Sequence, residues 1–315
     1  MAHFQSGSTY NFVDTISGQG NSFFVPEIYS KKVQIALRKA AVAEAVCNTD
    51  YMGEISSFGD TVNIIKEPQI AVADYTRGLA VTSTDLTDQE LVLTVDQAKS
   101  FSFKIDDLEK RFSHVNFQAI AADNAAYALR DAMDSNILAA ISAGATATTG
   151  MGTTGTPIDI GFGSGEVDPL NQMALAAKEL DEANAPEDGR WFVAAPEWYN
   201  QLSNSASKLL SVDFNAGQGS IRNGLVASGL LRGFSMYKSN NLPTNDLSGA
   251  TPAGSATAPE ALFGHMSSTA AASSMNKVET VRDTGTFSDI VRGLMVWGRK
   301  VLRPEVAGKI IYAID

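Results

Sequence analysis

The stretch Leu91-Val92-Leu93-Thr94-Val95-Asp96-Gln97-Ala98-Lys99-Ser100-Phe101-Ser102-Phe103-Lys104-Ile105 decides the fold class. Leu91, Leu93 and Val95 alternate with Val92, Thr94 and Asp96, and Phe101, Phe103 and Ile105 continue the alternation. A period of two is the mark of half-buried strand. Upstream, Val62 and Ile64 share one face of another short strand. Between the two lies Lys66 to Gln89, which holds Pro68, Gly78 and mixed polar and β-branched residues without a helical period. About two dozen residues far exceed the roughly 2–5 of a hairpin loop, and an isolated two-stranded ribbon is marginal in water. The excursion reads as a long arm that another chain must stabilise.

Downstream, Asp106-Asp107 start a helical region, and a break at Ser113 to Asn116 precedes a long helix from about Phe117 to Ile141. Leu129, Met133, Ile137 and Ile141 step by four along one face, and Asp123, Arg130, Asp131 and Asp134 take others. Its many alanines favour helix and close packing. Residues 143 to 158 carry no charge and are mostly Gly, Ala and Thr, which marks a loop and a boundary. Asp168-Pro169 reads as N-cap and first helical position. Arg190 to Ala194 reads as a short strand, and Pro196-Glu197 opens a helix carrying Trp198, Tyr199 and Leu202. This strand–helix alternation predicts a mixed α/β subdomain. Residues 244 to 258 read as a surface loop, and the end is β-rich: Ser273 to Arg282, Gly293 to Gly298 and Lys309 to Ala313.

Before the ribbon, residues 1 to 25 are polar, with scattered aromatics (Phe4, Tyr10, Phe12, Phe23, Phe24) that want burial on another surface. Pro26 to Val46 is amphipathic, with Lys31, Lys32, Arg38 and Lys39 among its apolar positions. These bases read as a solvated face, and a local DNA or scaffold contact is the sharper alternative.

The chain of 315 residues has room for one large domain or two modest ones, and 44% hydrophobic residues exclude general disorder. A net charge of −11 argues against gripping nucleic acid by neutralising phosphates. The single cysteine, Cys47, allows no intrachain disulfide and reads as a small buried apolar residue. Met1 to Gln5 show no secretory signal, and no stretch nears the roughly 18 apolar residues of a membrane span. The expectation is a soluble protein made in the cytoplasm, without a membrane partner.

Chemistry-bearing motifs give way to plainer readings. Gly150-Met151-Gly152-Thr153-Thr154-Gly155 matches the dinucleotide fingerprint in form, but a helix precedes it and Thr156-Pro157-Ile158-Asp159 does not start one. Gly161-Phe162-Gly163-Ser164-Gly165 completes neither a phosphate loop nor a nucleophile elbow. His3, His114 and His265 form no metal pair, and no serine has a nucleophile context. Asp106-Asp107 is explained by capping, and Asp85, Asp88, Glu90 and Asp96 by solvation. No catalytic, cofactor-binding or metal residue is assigned, no cofactor is expected, and the chain reads as a non-enzyme.

Several stretches together resemble the major capsid proteins of tailed bacteriophages, with the Hong Kong 97 fold. Phe24-Val25-Pro26-Glu27-Ile28-Tyr29-Ser30-Lys31-Lys32 looks like the end of the N-terminal arm, and Gly59-Asp60-Thr61-Val62-Asn63-Ile64 like the entry to the extended loop. Leu91 through Asp107 looks like its exit, and Ala125-Ala126-Tyr127-Ala128-Leu129-Arg130-Asp131-Ala132-Met133-Asp134 like the spine helix. Gly293 through Glu305 resembles the C-terminal strands of the peripheral domain. The resemblance implies an α+β chain: N-arm and first helix at 1–45, extended β-loop at 46–105, spine helix at 106–145, axial domain at 146–269, and peripheral strands at 270–315.

It also implies the function: a major capsid protein that self-assembles as pentamers and hexamers into an icosahedral shell around double-stranded DNA, bound non-specifically. The virion capsid would be assembled in the host cytoplasm. No long scaffolding segment precedes residue 26, so the scaffolding protein would be separate, and a portal protein would be a further partner. The family's founding member crosslinks neighbours through a lysine and an asparagine. Lys66 is the only lysine between Gly53 and Gln97, and crosslinking is kept as a hypothesis that boiled particles on a denaturing gel decide. Competing readings are an encapsulin-like cargo shell, a nucleotide-binding enzyme and a secreted surface-layer protein; the last two lack the helix context and the export signal they need.

Overall fold

The alternation at Phe101, Phe103 and Ile105 is a strand, and its partner comes from the C-terminal part of the chain rather than from the ribbon. The computed structural model describes residues 38–39, 41–53, 61–66, 70, 72, 74, 77–78, 89–107, 117–146, 150–204 and 230–314, and the expected arm before residue 38 lies outside them. In chain order the elements are α1 (Ala43–Val46), β1 (Thr61–Lys66), β2 (Gln89–Thr94), β3 (Gln97–Asp106), α2 (Phe117–Gly144), β4 (Ile158–Asp159), α3 (Pro169–Glu182), β5 (Arg190–Ala194) and α4 (Pro196–Leu202). Then follow β6 (Leu230–Leu231), β7 (Phe234–Lys238), β8 (Thr244–Asn245), β9 (Ala258–Pro259), β10 (Ala261–His265), β11 (Thr269–Arg282), β12 (Ser288–Val301), β13 (Ala307–Ile310) and β14 (Tyr312–Ala313).

The first sheet is antiparallel in the order β11–β12–β3, with Phe103 opposite Val291 and Phe101 opposite Gly293. One of its faces packs on α2. Met295 and Trp297 lie among Leu129, Met133, Ile137, Leu138 and Ile141, with Phe101 at the margin. The stripe read from the sequence at steps of four is thus the buried stripe. At 28 residues, α2 is about 42 Å long, and it runs three residues past the expected end at Ile141. The Trp297 indole N–H donates to the Asn136 side-chain oxygen at 3.2 Å, so the helix is fixed in rotation as well as packed.

Asp134 departs from expectation. Read as part of a polar face, it is only 2% exposed. Its Oδ1 accepts the backbone N–H groups of Val42 and Ala43 at 2.7 Å each, and its Oδ2 accepts from Asn241 Nδ2 at 2.9 Å. Helix α1 begins at Ala43 and Val42 has no capping side chain. A carboxylate brought from α2 therefore does the work of an N-cap, satisfying free amide donors at the positive end of a helix. Sequence separation hides this, because the partners lie 91 and 92 residues apart.

The second sheet has the order β13–β10–β5–β7–β6, with β5 and β7 parallel and the other pairs antiparallel. Every residue of β5 is buried because both faces are covered. Trp191 and Val193 share the cluster of α2, while Phe192 and Ala194 join Leu170, Met173 and Leu180 of α3 and Trp198 of α4. Helix α3 starts where the sequence placed it: Asp168 Oδ1 accepts the Leu170 N–H at 2.8 Å, and Pro169 fills the first turn. Arg190, buried at the head of β5, secures the other end of α3 by donating to Asp181 Oδ1 and the Ala185 carbonyl, both at 2.7 Å.

Two expectations need correction. A border at 269/270 would group the whole C-terminus with the long hairpin, but β13 pairs with β10 and β14 pairs with β4, so residues 307–313 hydrogen-bond to the middle segment. The physical reason is edge coverage: without β13, the outer edge of β10 would leave backbone groups unpaired. The expected surface loop at 244–258 is also partly internal. Thr244 and Asn245 pair with Pro259 and Ala258, and Leu247 is fully buried beside Ala258 and Ile311.

Replacing Asp134 with alanine leaves the Val42 and Ala43 amides without an acceptor. The expected result is a loss of about 2–4 kcal/mol in unfolding free energy, read by urea denaturation of the unassembled subunit.

Candidate assembly surfaces

The ribbon is built as its alternation requires. Strands β1 and β2 are antiparallel, with Val62 opposite Leu93 and Ile64 opposite Leu91. Val62, Ile64 and Leu93 pack with Val95, Ala270, Ala272 and Val296, on the face of β12 opposite α2. Gly298 permits this close seating: a Cβ there would stand 2.5 Å from the Thr94 carbonyl oxygen and 2.9 Å from Val95 Cα. Asp96 and Arg299 add an ion pair at 3.6 Å beside the root.

The other face of the ribbon has no such floor. Asn63 lies opposite Val92 and Ile65 opposite Glu90. Ile65 is 78% exposed and, farther out, Val72 is 97% exposed. Isolated exposed apolar residues are ordinary. Here Ile65, Ile70, Val72 and Val92 are all exposed within one stretch of the sequence, between Thr61 and Thr94.

A second exposed region ends the β11–β12 hairpin. Arg282 binds Asp107 through both guanidinium nitrogens and reaches Asp289 Oδ1 at 3.1 Å. Lys104 of β3 pairs with Asp283, and Arg292 pairs with Glu279. The Lys104 ammonium, the Thr286 hydroxyl and the Gly285 N–H hold the Asp283 carboxyl well below the usual carboxylate range. Arg292 likewise lowers Glu279.

Most sequence-flagged residues turn out to be structural. Cys47 is buried, and desolvation, helped by the Asp134 charge, pushes its thiol up to about 12, which leaves it unreactive. His265 Nδ1 accepts the Ser267 N–H at 3.2 Å, so its Nε2–H donates to the Asp188 carbonyl at 2.8 Å; it holds two turns together. His3 and His114 lie outside the described residues. The glycine motif at 150–155 is followed by β4, not by a helix. Gly152 (φ 77°) is required because a Cβ would come 2.2 Å from the Ile311 carbonyl oxygen. Its backbone neighbours serve the C-terminal strands: the Ile311 N–H donates to Met151 O at 2.9 Å.

Asp107 belongs to the Arg282 pair, and Asp85 and Asp88 lie outside the described residues. Arg38 pairs with Asp123 and lies 5.3 Å over the Tyr127 ring, while the Lys39 backbone N–H donates to Tyr127 Oη at 2.6 Å. Both residues are exposed, as the solvated-face reading has it, and Arg38 in addition ties this segment to α2. One buried group escaped the sequence reading altogether. Glu260, 3% exposed, accepts from Ser142 Oγ and from Asn245 Nδ2, with Lys309 Nζ at 3.5 Å. No local spacing announces a cluster drawn from four separate segments.

Among the described residues no group of His, Cys, Asp and Glu is arranged to hold a metal ion, and no helix is long and apolar enough to cross a membrane. What the fold displays is a subunit: a long helix on a three-stranded sheet, a second sheet beside it, and a ribbon left open on one face. This is the architecture of shell-forming capsid proteins of the Hong Kong 97 type. A solved chain from Mycobacterium phage Che8 is 29% identical, with 91% of this chain and 97% of that chain covered at a TM-score of 0.77. The capsid structure of the cyanophage P-SCSP1u gives 22% identity, 98% and 100% coverage, and a TM-score of 0.72. A chain of the mature capsid of bacteriophage PhiM1 gives 17% identity, 91% and 92% coverage, and a TM-score of 0.65. No curated protein sequence matches the chain. Residues 88–310 match the phage capsid protein family, and the chain belongs to it. It is a major capsid protein, a structural component of the virion shell and not an enzyme.

The depressed carboxyls give the hairpin end a defined response to acid. A group whose folded pKa is lowered contributes stability above its unfolded value, near 4, and loses it as pH falls through the folded value. Protection factors at residues 279–289, taken against intrinsic exchange at each pH, should therefore stay level from neutral pH to about 4 and fall below it. In Asp283→Asn that acid-induced fall should be smaller.

Proposed function

We propose that the chain assembles as pentamers and hexamers that close into an icosahedral shell around double-stranded DNA. Each extended loop, about residues 59 to 99, lies over an adjacent subunit, and the N-terminal arm crosses a neighbour too. The observation that carries this reading is the one-sided ribbon: Val62, Ile64 and Leu93 are seated on the chain's own sheet, while Ile65, on the other face of β1, and Val72, farther along the chain, are exposed. Interfaces of obligate subunits bury more than about 2,000 Å², and a projecting ribbon supplies such area.

In this reading residues 146–269, joined by strands β13 and β14, cluster around the local symmetry axis. The loop at 143–165 adapts the subunit between pentamer and hexamer, which two distinct conformations of that loop within one particle would support. A separate scaffolding protein and a portal protein are the further partners, and assembly takes place in the host cytoplasm. The net charge of −11 suits contact with packaged DNA that must enter and leave, since a strongly basic lining would hold it through counterion release.

Ile65→Asp tests the ribbon. The substituted residue lies on the outer face, so the subunit should melt as the parent does. Burying one such side chain is worth about 1.5–3 kcal/mol, so shell yield by electron microscopy and sedimentation should fall at least about tenfold. Undiminished shells would remove the ribbon from the assembly interface.

A further inference from the structure

Glu260 stands at the junction of two ladders, and its partners arrive on both. It follows β9, whose Ala258 and Pro259 pair with Asn245 and Thr244 of β8, and its own N–H donates to the Pro243 carbonyl at 2.9 Å. It precedes β10, where Leu262 pairs with Lys309 of β13. Residues two apart in extended chain share a face, so Glu260 and Lys309 come to the same side. A lysine amine and an asparagine amide thereby meet one oxygen atom. Glu260 Oε1 accepts from Asn245 Nδ2 at 2.8 Å and lies 3.5 Å from Lys309 Nζ. The other carboxylate oxygen, Oε2, accepts from Ser142 Oγ, and Lys309 Nζ reaches the same hydroxyl at 3.4 Å.

A plain ion pair does not need this arrangement. A charge-assisted N–H···O bond closes to about 2.7–2.9 Å, yet here the amide holds the shorter place and the ammonium the longer one. Glu260 is 3% exposed, and an ion pair at a buried carboxylate is costly to maintain. Passing one proton from Nζ to Glu260 leaves a neutral acid and a neutral amine, and a neutral amine is a nucleophile. Asn245 Cγ, one bond from Nδ2, is the carbonyl carbon beside it. Strand pairing holds both groups in place, so the reaction needs no chance encounter.

We propose that Lys309 and Asn245 join in an amide cross-link inside the subunit, formed once by the folded chain itself with Glu260 as the proton carrier. Nζ attacks Asn245 Cγ; the Nζ–Cγ bond forms, the Cγ–Nδ2 bond breaks, and Nδ2 leaves with the bonding electron pair. The Lys309 ammonium gives up two protons. Glu260 Oε1 takes each in turn and hands it to Nδ2, which departs as ammonium, so Glu260 ends as the carboxylate it was and no co-reactant is consumed. An oxygen in reach of both the nitrogen that loses protons and the nitrogen that gains them is what this transfer requires. Lys309 keeps 28% of its side chain exposed, which gives the ammonium a way out. The link closes residues 245–309 into a ring and fastens β8 to β13. It lies within one chain, and it neither involves the ribbon nor depends on the shell reading.

Intact-mass spectrometry of the denatured full-length chain reads the bond directly. The purified subunit should be lighter than its sequence mass by one ammonia, and Lys309→Arg should show its full sequence mass. Asn245→Asp should be lighter by one water, because a carboxyl at that position gives the same link. A proteolytic digest of the parent should hold a branched peptide joining the segments of Asn245 and Lys309. A parent chain at its full sequence mass would overturn the proposal, whether or not the variants fold. So would an ammonia loss that persists in Lys309→Arg, or one that the digest places at another residue. Glu260→Gln keeps the shape and the hydrogen bonding but carries no proton, so it should stay at its sequence mass with the parent's circular dichroism. A Glu260→Gln chain that still links would refute the role given to Glu260.

Discussion

Strand β12 is the constraint on which the described structure turns. It has a strand on each side, β11 and β3, and a packed layer on each face. Trp297 and Met295 point into the α2 cluster, while Val296 and Gly298 receive the root of the ribbon. A strand used on all four sides has little freedom in register, because a slip of one residue would exchange its two faces. Trp297 would then face the ribbon root, and Gly298 would no longer lie under Thr94. The positions of the long helix, the ribbon and the hairpin end follow from one fourteen-residue strand.

Around that strand, polar groups join segments that apolar packing alone would leave loosely oriented. Asp134 binds the start of α1 and the Asn241 amide, and Glu260 gathers Ser142, Asn245 and Lys309. Both carboxylates are buried and both are satisfied, which is the condition under which a buried charge is tolerated. They sit on or against α2, one in its middle and one near its C-terminal end, so the helix acts as a beam to which both sheets and the end of the arm are fastened. A subunit made this way presents its remaining apolar groups, on the ribbon and at the hairpin end, from a firm body.

Much of this was legible because it is local. The alternation of Leu91, Leu93, Phe101, Phe103 and Ile105 announced strands; the four-residue steps from Leu129 to Ile141 announced the helix and its buried stripe. Asp168-Pro169 announced the start of α3. What was misread is non-local. Asp134 looks like one more polar helical residue until Val42 and Ala43 are brought to it. The return of residues 307–313 to the edge of β10 leaves no trace in composition.

By itself, then, the sequence determined the periodicities, the breaks and the overlong excursion, since these depend on residues that are neighbours along the chain, and those stretches together carried the resemblance to phage capsid proteins. Tertiary structure alone decided which strand takes the centre, which carboxylates go inside and which apolar residues remain uncovered. Those outcomes depend on groups far apart along the chain meeting in a low-dielectric interior, where an unmatched polar group is costly and a matched one holds the pieces in place.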